Sequence, residues 1–388
     1  MKTKLCATFV LGAFAMLAYA GQNDAQKYDP AMATKTAVIT NDVKWLDGKY
    51  LPLEGGYYSE KFGRYERVPG NITTNVNRGV RGQRQHTSGM MFRFKTTSKK
   101  LHFNWVPVNK TLGMDHMPAS GVSGIDVYKW NKSKSSWQYV KTGRIYHHAA
   151  GKLSLDWNPD DICLVNLPLY NGVKSFKIGV EKDAAITEAG TRSSGVTKPV
   201  LFYGTSITHG GCASRPGLGF VNIVGRKLDV PVVGLGFSGS GVMELEMADV
   251  VSRIEASCYV LDCIWNMSFD ETGKDIRSVQ RNYEPFIRSL RAKHPSVPIV
   301  MAGACDVYCG TAASSKSIMA REQFAKELFM KLKKEGWENL YFLPGKGMLG
   351  DDFEGTVDGV HPNDIGMMRM SEFYAKAVAE ALKLKGSK

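Results

Sequence analysis

Near residue 195 the spacing of apolar residues changes from one period to another, and a chain cannot satisfy both periods with one kind of secondary structure. Over 42–180 the apolar residues come in short alternating runs, 91–94, 101–105, 125–128, 137–140 and 176–180. Alternation with period two gives strands with one buried face. The turn residues Ser98-Lys99-Lys100, Asn131-Lys132-Ser133 and Asn158-Pro159-Asp160 separate these runs as in an antiparallel sheet. An all-β sandwich is therefore expected over 37–188. A Gly/Ser/Thr-rich piece, 189–197, reads as a linker. Beyond it, over 198–388, strand-like runs at 200–203, 230–237, 259–264, 298–302 and 340–343 alternate with helical faces. Those faces are marked by Phe220, Ile223, Val224 and Leu228, by Ile276, Val279, Tyr283, Phe286 and Leu290, by Phe324, Leu328 and Leu332, and by Met367, Met370, Tyr374, Ala377 and Leu382. Such alternation implies an α/β domain of five parallel strands in three layers, with helices on both faces.

The first 20 residues have the three regions of a secretory signal peptide: Lys2 and Lys4, an apolar run over 5–18, and small residues ending at Ala20. Cleavage is expected between Ala20 and Gly21, giving an exported protein, periplasmic or secreted. The apolar run is shorter than the roughly 20 residues a membrane span needs, and no other stretch is long enough. Without the signal, 48 basic side chains face 37 acidic ones. That surplus favours acidic partners and does not bear on fold. No concentrated basic block interleaved with aromatics is present, so nucleic acid is not expected; an acidic polysaccharide suits an exported chain better, and a merely soluble lysine-rich surface accounts for the charge equally well. Six cysteines survive processing, Cys163, Cys212, Cys258, Cys263, Cys305 and Cys309, several of them in apolar runs where a thiol packs as a small hydrophobe. Cys305 and Cys309 have the spacing to close a small loop or hold a metal. No histidine or second cysteine pair stands at ligand spacing beside them, so no metal is expected.

The chemistry gathers at the ends of the C-terminal strands. The run 200–203 breaks at Gly204, and the polar turn Thr205-Ser206 follows, with a helical pattern starting near Arg215. Ser206 then sits at the carboxyl edge of a parallel strand, where ligands bind in open α/β sheets; it is either a nucleophile or a turn former. Near the C-terminus, Gly355-Thr356-Val357-Asp358-Gly359-Val360-His361-Pro362-Asn363-Asp364 precedes the last helix. Three residues apart in a turn, Asp358 can hold Nδ1–H of His361 and leave Nε2 free to accept the serine proton. His209 is a rival base three residues from Ser206, but no carboxylate is placed to orient it, and it reads as a loop or substrate-contact residue.

Oxyanion donors are expected at two further strand ends. In Gly234-Leu235-Gly236-Phe237-Ser238-Gly239 the glycines allow close backbone approach, and Asn266 offers a side-chain amide. The glycine pattern is also a formal dinucleotide-binding match with Asp262 further on, which raises an oxidoreductase as an alternative; it follows the second strand rather than the first and leaves Ser206, Asn266 and the Asp358/His361 pair without a role. Asn266 also heads an Asn-Met-Ser sequon, which a cleft would not tolerate as a glycan site.

Gly204-Thr205-Ser206-Ile207-Thr208, Gly239, Asn266 and Asp358-x-x-His361 together resemble the four sequence blocks of the SGNH (GDSL-like) hydrolases. Ser214-Arg215-Pro216-Gly217 and Leu235 to Gly239 resemble its two-domain bacterial esterase branch. The first half resembles that branch's companion domain: Gly124-Ile125-Asp126-Val127-Tyr128 is similar to its Gly-x-Asp-Leu-Tyr motif, and Leu167-Pro168-Leu169-Tyr170-Asn171-Gly172 is a second match. The resemblance implies a flavodoxin-like three-layer hydrolase domain behind a sandwich. It implies Ser206 as nucleophile, His361 as base and Asp358 as its orienting acid, with Ser206 N–H, Gly239 N–H and the Asn266 amide as the oxyanion hole. Thr205 stands where the superfamily has aspartate, and Trp265 where a smaller residue is expected, which would narrow the pocket and touch substrate. The implied activity is an ester hydrolase acting on small O-acyl groups, acetyl foremost, of extracellular carbohydrate, without a cofactor. An acyltransferase, a lipase acting on another ester and a carbohydrate-binding protein with an inactive triad are the alternatives. Trp105, Trp130, Trp137 and Trp157 of the sandwich are either sugar-stacking or core residues. The loop 114–124 is expected to reach over the cleft.

Overall fold

The computed structural model describes residues 28–384 except 69, 72–73, 147–149, 160 and 306–311. The expected signal peptide lies outside the described residues, as does Cys309, on which the small-loop reading depends.

Two antiparallel sheets build the first half. One runs Val38–Thr40, Val43–Asp47, Val173–Glu181, Lys100–Pro107, Ala150–Asp156, Ile145–Tyr146 in spatial order. The other runs Ile186–Glu188, Met91–Thr96, Cys163–Asn166, Ile125–Asn131, Ser136–Gly143, with Leu53–Glu54 also paired to Met91–Thr96. Period two is visible in Lys100–Pro107, where Leu101, Phe103 and Trp105 are buried and the residues between them are not. Both sheets feed one core of Phe92, Phe94, Phe103, Trp105 and Phe176, with the Phe92 and Phe176 rings stacked 4.8 Å apart. Trp105 and Trp157 are core residues, and Trp105 Nε1–H donates to Ser123 O at 3.0 Å. Trp130 and Trp137 pack edge to face, and Trp137 Nε1–H donates to Asp229 across the domain boundary.

The second half is a five-stranded parallel sheet: β1 (Val200–Gly204), β2 (Val232–Gly236), β3 (Cys258–Asp262), β4 (Ile299–Ala302) and β5 (Leu340–Leu343), in the order β2-β1-β3-β4-β5. Residues alternate between two cores. Leu201, Tyr203, Tyr259 and Leu261 face one; Val200, Phe202, Val260 and Val300 face the other. Helices α1 (Phe220–Leu228) and α5 (Asp364–Ala381) cover the second core, α2 (Leu245–Ser252), α3 (Val279–Lys293) and α4 (Ala312–Lys334) the first. The strand order reverses between β1 and β3, so the segments after these two strands diverge to opposite faces and leave a crevice at their carboxyl ends.

Two local expectations differ from the structure. Ile276 precedes α3, which Ser278 caps, and is exposed rather than on a helix face. Helix α2 has eight residues and no side-chain cap, so its period is too short to read from sequence.

The segment 189–197 is pinned, not a free tether. Buried Arg192 pairs with Glu54 of the sandwich and, at 3.2 Å, with Asp229 of the α/β domain. Arg93 donates to Gly190 O at 2.7 Å. Elsewhere the domains meet through buried polar groups. Asp126, fully buried, accepts from Arg215 Nη1 at 2.8 Å, from Gly217 N–H at 2.8 Å and from Asn166 Nδ2 at 2.8 Å. Arg67, also buried, donates to Gly234 O at 3.0 Å, Gly236 O at 2.7 Å and Gln83 O at 2.8 Å. Burial holds its guanidinium down at about 9.

Removing one member of a buried ion pair leaves the other charge without a partner, at a cost of about 3–5 kcal/mol. Asp126→Ala is therefore expected to lower the unfolding free energy of the whole chain by that order, read from the fall in its denaturant midpoint. Asp126→Asn, which keeps an acceptor for Gly217 N–H, is expected to lower it less; equal midpoints for Asp126→Ala and the unaltered chain would contradict this.

Candidate active site

Strand β1 ends at Gly204, where a Cβ would fall 2.0 Å from Thr208 Oγ1 and 2.6 Å from Asp262 O, so the turn accepts only glycine. Thr205 then caps a four-residue helix, Ser206–His209. Ile207 N–H donates to Thr205 Oγ1 and Thr205 N–H to Thr208 Oγ1, each at 3.2 Å. A four-residue helix thus begins at Ser206, ahead of the helical turn Pro216–Leu218 that follows Arg215 and leads into α1; four residues and a left-handed Gly210 stop are too short to show a period. As the first helical residue, Ser206 has an N–H with no partner inside the helix. Thr208 Oγ1 donates to Asp262 Oδ2 at 2.6 Å, tying the turn to the end of β3. Burial pushes the Asp262 carboxyl up to about 7, against the lowering effect of that hydrogen bond.

Ser206 Oγ lies 2.9 Å from His361 Nε2. His361 Nδ1–H donates to Asp358 Oδ2 at 2.7 Å, and His361 N–H and Val360 N–H donate to Asp358 Oδ1 at 2.7 and 3.0 Å. Burial alone would raise the Asp358 carboxyl, but these hydrogen bonds hold it below the usual carboxylate range. The two segments are stapled together: Cys212 N–H donates to Pro362 O at 2.8 Å and Ser214 N–H to Asp364 Oδ1 at 2.8 Å.

The segments carrying Gly239 and Asn266 close on the same turn. Phe237 N–H donates to Gly204 O at 2.9 Å, and Asn266 Nδ2 donates one of its two hydrogens to Phe237 O at 3.2 Å. Gly239 has φ +66°, which turns the backbone here and suits glycine. Arg277 holds Asn266 O at 2.6 and 2.9 Å, and Arg321 holds Ile264 O at 3.0 Å and Met267 O. Half-buried Trp265 donates Nε1–H to Cys305 Sγ at 3.2 Å.

His209 is not a substrate contact. It is fully buried, with its ring stacked on Tyr170 at 4.1 Å and Nε2 2.9 Å from Leu169 O. Burial, reinforced by Arg67 and His86, pushes its imidazolium well below the usual range. The glycines that read as a dinucleotide loop are occupied by protein: a Cβ on Gly236 would lie 2.1 Å from His209 N, and Gly234 packs on Gly89. Asp262 is engaged with Thr208.

Two sandwich residues that sequence reasoning did not place at the site reach it. Tyr170 donates its hydroxyl to Ser206 O at 2.9 Å. His116, at the tip of a turn closed by Met114 and Met117, lies 5.8 Å ring to ring from His361. Both fall in stretches the sequence singles out, the 167–172 motif and the 114–124 loop, but neither stretch says which side chain points inward.

Residues 197–379 match the model of the GDSL-like lipase/acylhydrolase family. Residues 43–186 match the model for the N-terminus of SGNH-hydrolase-type esterases. Among solved structures, a Bacteroides ovatus ATCC 8483 protein named for a GDSL-like lipase is 28% identical with a TM-score of 0.77, covering 89% of this chain and 100% of that one. A salicylyl-acyltransferase from a tetracycline biosynthetic pathway is 18% identical with a TM-score of 0.71, over 88% and 98% of the two chains. A family two carbohydrate esterase from Cellvibrio japonicus is 10% identical with a TM-score of 0.52, over the same shares. No curated protein matches the chain.

Asp262 gives a pH signature. Its folded-state value, about 7, lies above that of an unfolded aspartate, about 4. The neutral carboxyl is therefore the form the fold prefers, and its contribution is fully present below about pH 4 and lost as pH rises through 7. Asp262→Asn, which still accepts from Thr208, is expected to flatten the fall in thermal midpoint between those values, measured by calorimetry; an unchanged slope would place the titrating group elsewhere.

Proposed function

Since the chain belongs to the GDSL-like lipase/acylhydrolase family, with an SGNH-esterase N-terminal domain before it, we propose that it is a serine esterase removing O-acyl groups, acetyl foremost, from extracellular carbohydrate. The observation that carries this reading is the continuous relay from Ser206 Oγ to His361 Nε2 at 2.9 Å and from His361 Nδ1 to Asp358 at 2.7 Å. Ser206 attacks the ester carbonyl while its proton passes to His361, and Asp358 stabilises the imidazolium that forms. The developing oxyanion is met by Ser206 N–H, Gly239 N–H and the free hydrogen of the Asn266 amide. His361 then gives its proton to the departing sugar oxygen, which leaves as the hydroxyl, and water, deprotonated by the same base, releases the acid from the acyl-enzyme. These steps need no cofactor. The bulk of Trp265 beside Asn266 favours a small acyl group, and the basic surplus of the chain favours an acidic polysaccharide as carrier.

Acetate release from a panel of acetylated polysaccharides, beside p-nitrophenyl esters of increasing chain length, tests the substrate: acetyl esters are expected to turn over fastest. Ser206→Ala and His361→Ala are each expected to reduce kcat by about 10⁴-fold or more with the fold kept. Asn266→Ala is expected to lose about 10²- to 10³-fold. Undiminished turnover in His361→Ala would end the proposal.

A further inference from the structure

Beside the relay lies a cluster in which two of the three side chains have no part in ester chemistry. His116 from the sandwich loop, Cys212 from the segment after the Ser206 helix and His361 each offer one ligand atom, and these atoms lie within 4.8 Å of one another. Both histidines are set up alike. His116 Nδ1 is 2.9 Å from Asp115 Oδ1 and His361 Nδ1 is 2.7 Å from Asp358 Oδ2. A carboxylate on Nδ1 fixes the tautomer that leaves Nε2 as an electron-pair donor and raises its basicity, the arrangement found behind histidines that bind zinc. Cys212 is buried, and its backbone N–H is tied to Pro362 O at 2.8 Å.

We propose that His116, Cys212 and His361 form a zinc site bridging the two domains. Two imidazoles and a thiolate are a donor set that selects zinc over magnesium or calcium, and water or the Ser206 hydroxyl is at hand for the fourth position. Closing the three ligand atoms to the roughly 3.5 Å separations of tetrahedral zinc takes a small swing of His116, which sits at a loop tip. On binding, the Cys212 S–H bond is replaced by a sulfur–zinc bond and its proton goes to solvent, with no change of oxidation state. Zinc on His361 Nε2 occupies the electron pair that accepts the Ser206 proton. Resting on the esterase reading, the filled site is therefore the inactive form, and the metal is an inhibitor rather than a cofactor.

Cobalt(II) serves as the spectroscopic probe, titrated into the full chain with thiolate-to-cobalt charge-transfer absorption as readout. The band is expected to saturate at one equivalent, to vanish in Cys212→Ser, and to need about tenfold more metal in Asp115→Asn, which removes only the carboxylate behind His116. Zinc is expected to raise the thermal midpoint of the unaltered chain and not that of Cys212→Ser. It is also expected to inhibit turnover reversibly by chelator, with Cys212→Ser active and insensitive. No band in the unaltered chain, or an undiminished band in Cys212→Ser, overturns the site. A chain that binds cobalt as described but hydrolyses no ester would instead overturn the proposed function and leave the site standing.

Discussion

One buried guanidinium governs how the two domains meet and how the crevice is shaped. Arg67 comes from the sandwich, loses nearly all contact with water, and has carbonyls rather than a carboxylate as its hydrogen-bond partners. Its charge is spread over Gly234 O, Gly236 O and Gln83 O and lies 4.7 Å above the Phe237 ring. The carbonyls of Gly234 and Gly236 belong to the end of β2, and Phe237 in turn binds Gly204 O and the Asn266 amide. The sandwich thus fixes the register of the segment that leads to Gly239.

The same logic repeats around the serine. Asp126 fixes Arg215 and Gly217, Tyr170 reaches the Ser206 carbonyl, and Ser88 Oγ–H donates to His209 O at 2.8 Å. Glycines at Gly89 and Gly234 let the two backbones come into contact where a side chain would separate them. The first domain is therefore structural support for the Ser206 turn as well as one wall beside it. A buried polar interface of this kind is costly when any member is missing, which ties folding of the crevice to docking of the domains.

His209 and Asp262 show why titratable residues beside one turn need not share one environment. Both lie within a few ångströms of the serine turn, yet both are buried and engaged, His209 under Tyr170 and Asp262 against Thr208. His361 differs in keeping part of its ring in contact with solvent while a carboxylate holds its far nitrogen. Exposure to substrate and a fixed tautomer are needed together, and among these groups His361 has both.

The sequence by itself determined the two periods and the five parallel strands, because local backbone preference and apolar alternation depend on neighbours along the chain, and its turns singled out Ser206, Asp358 and His361, which the fold brings within hydrogen-bond distance. It also read 189–197 as a linker, and said nothing of the way Arg192 locks that segment to both sides. What only the tertiary structure decided is which side chains face inward across the domain boundary: His209 buried rather than exposed, Tyr170 under the serine, His116 and Cys212 beside the base. These depend on contacts between residues 36 to 245 positions apart, as in Tyr170 with Ser206 and His116 with His361. Periodicity carries no information about such pairs, since it specifies a face and not the partner that will cover it.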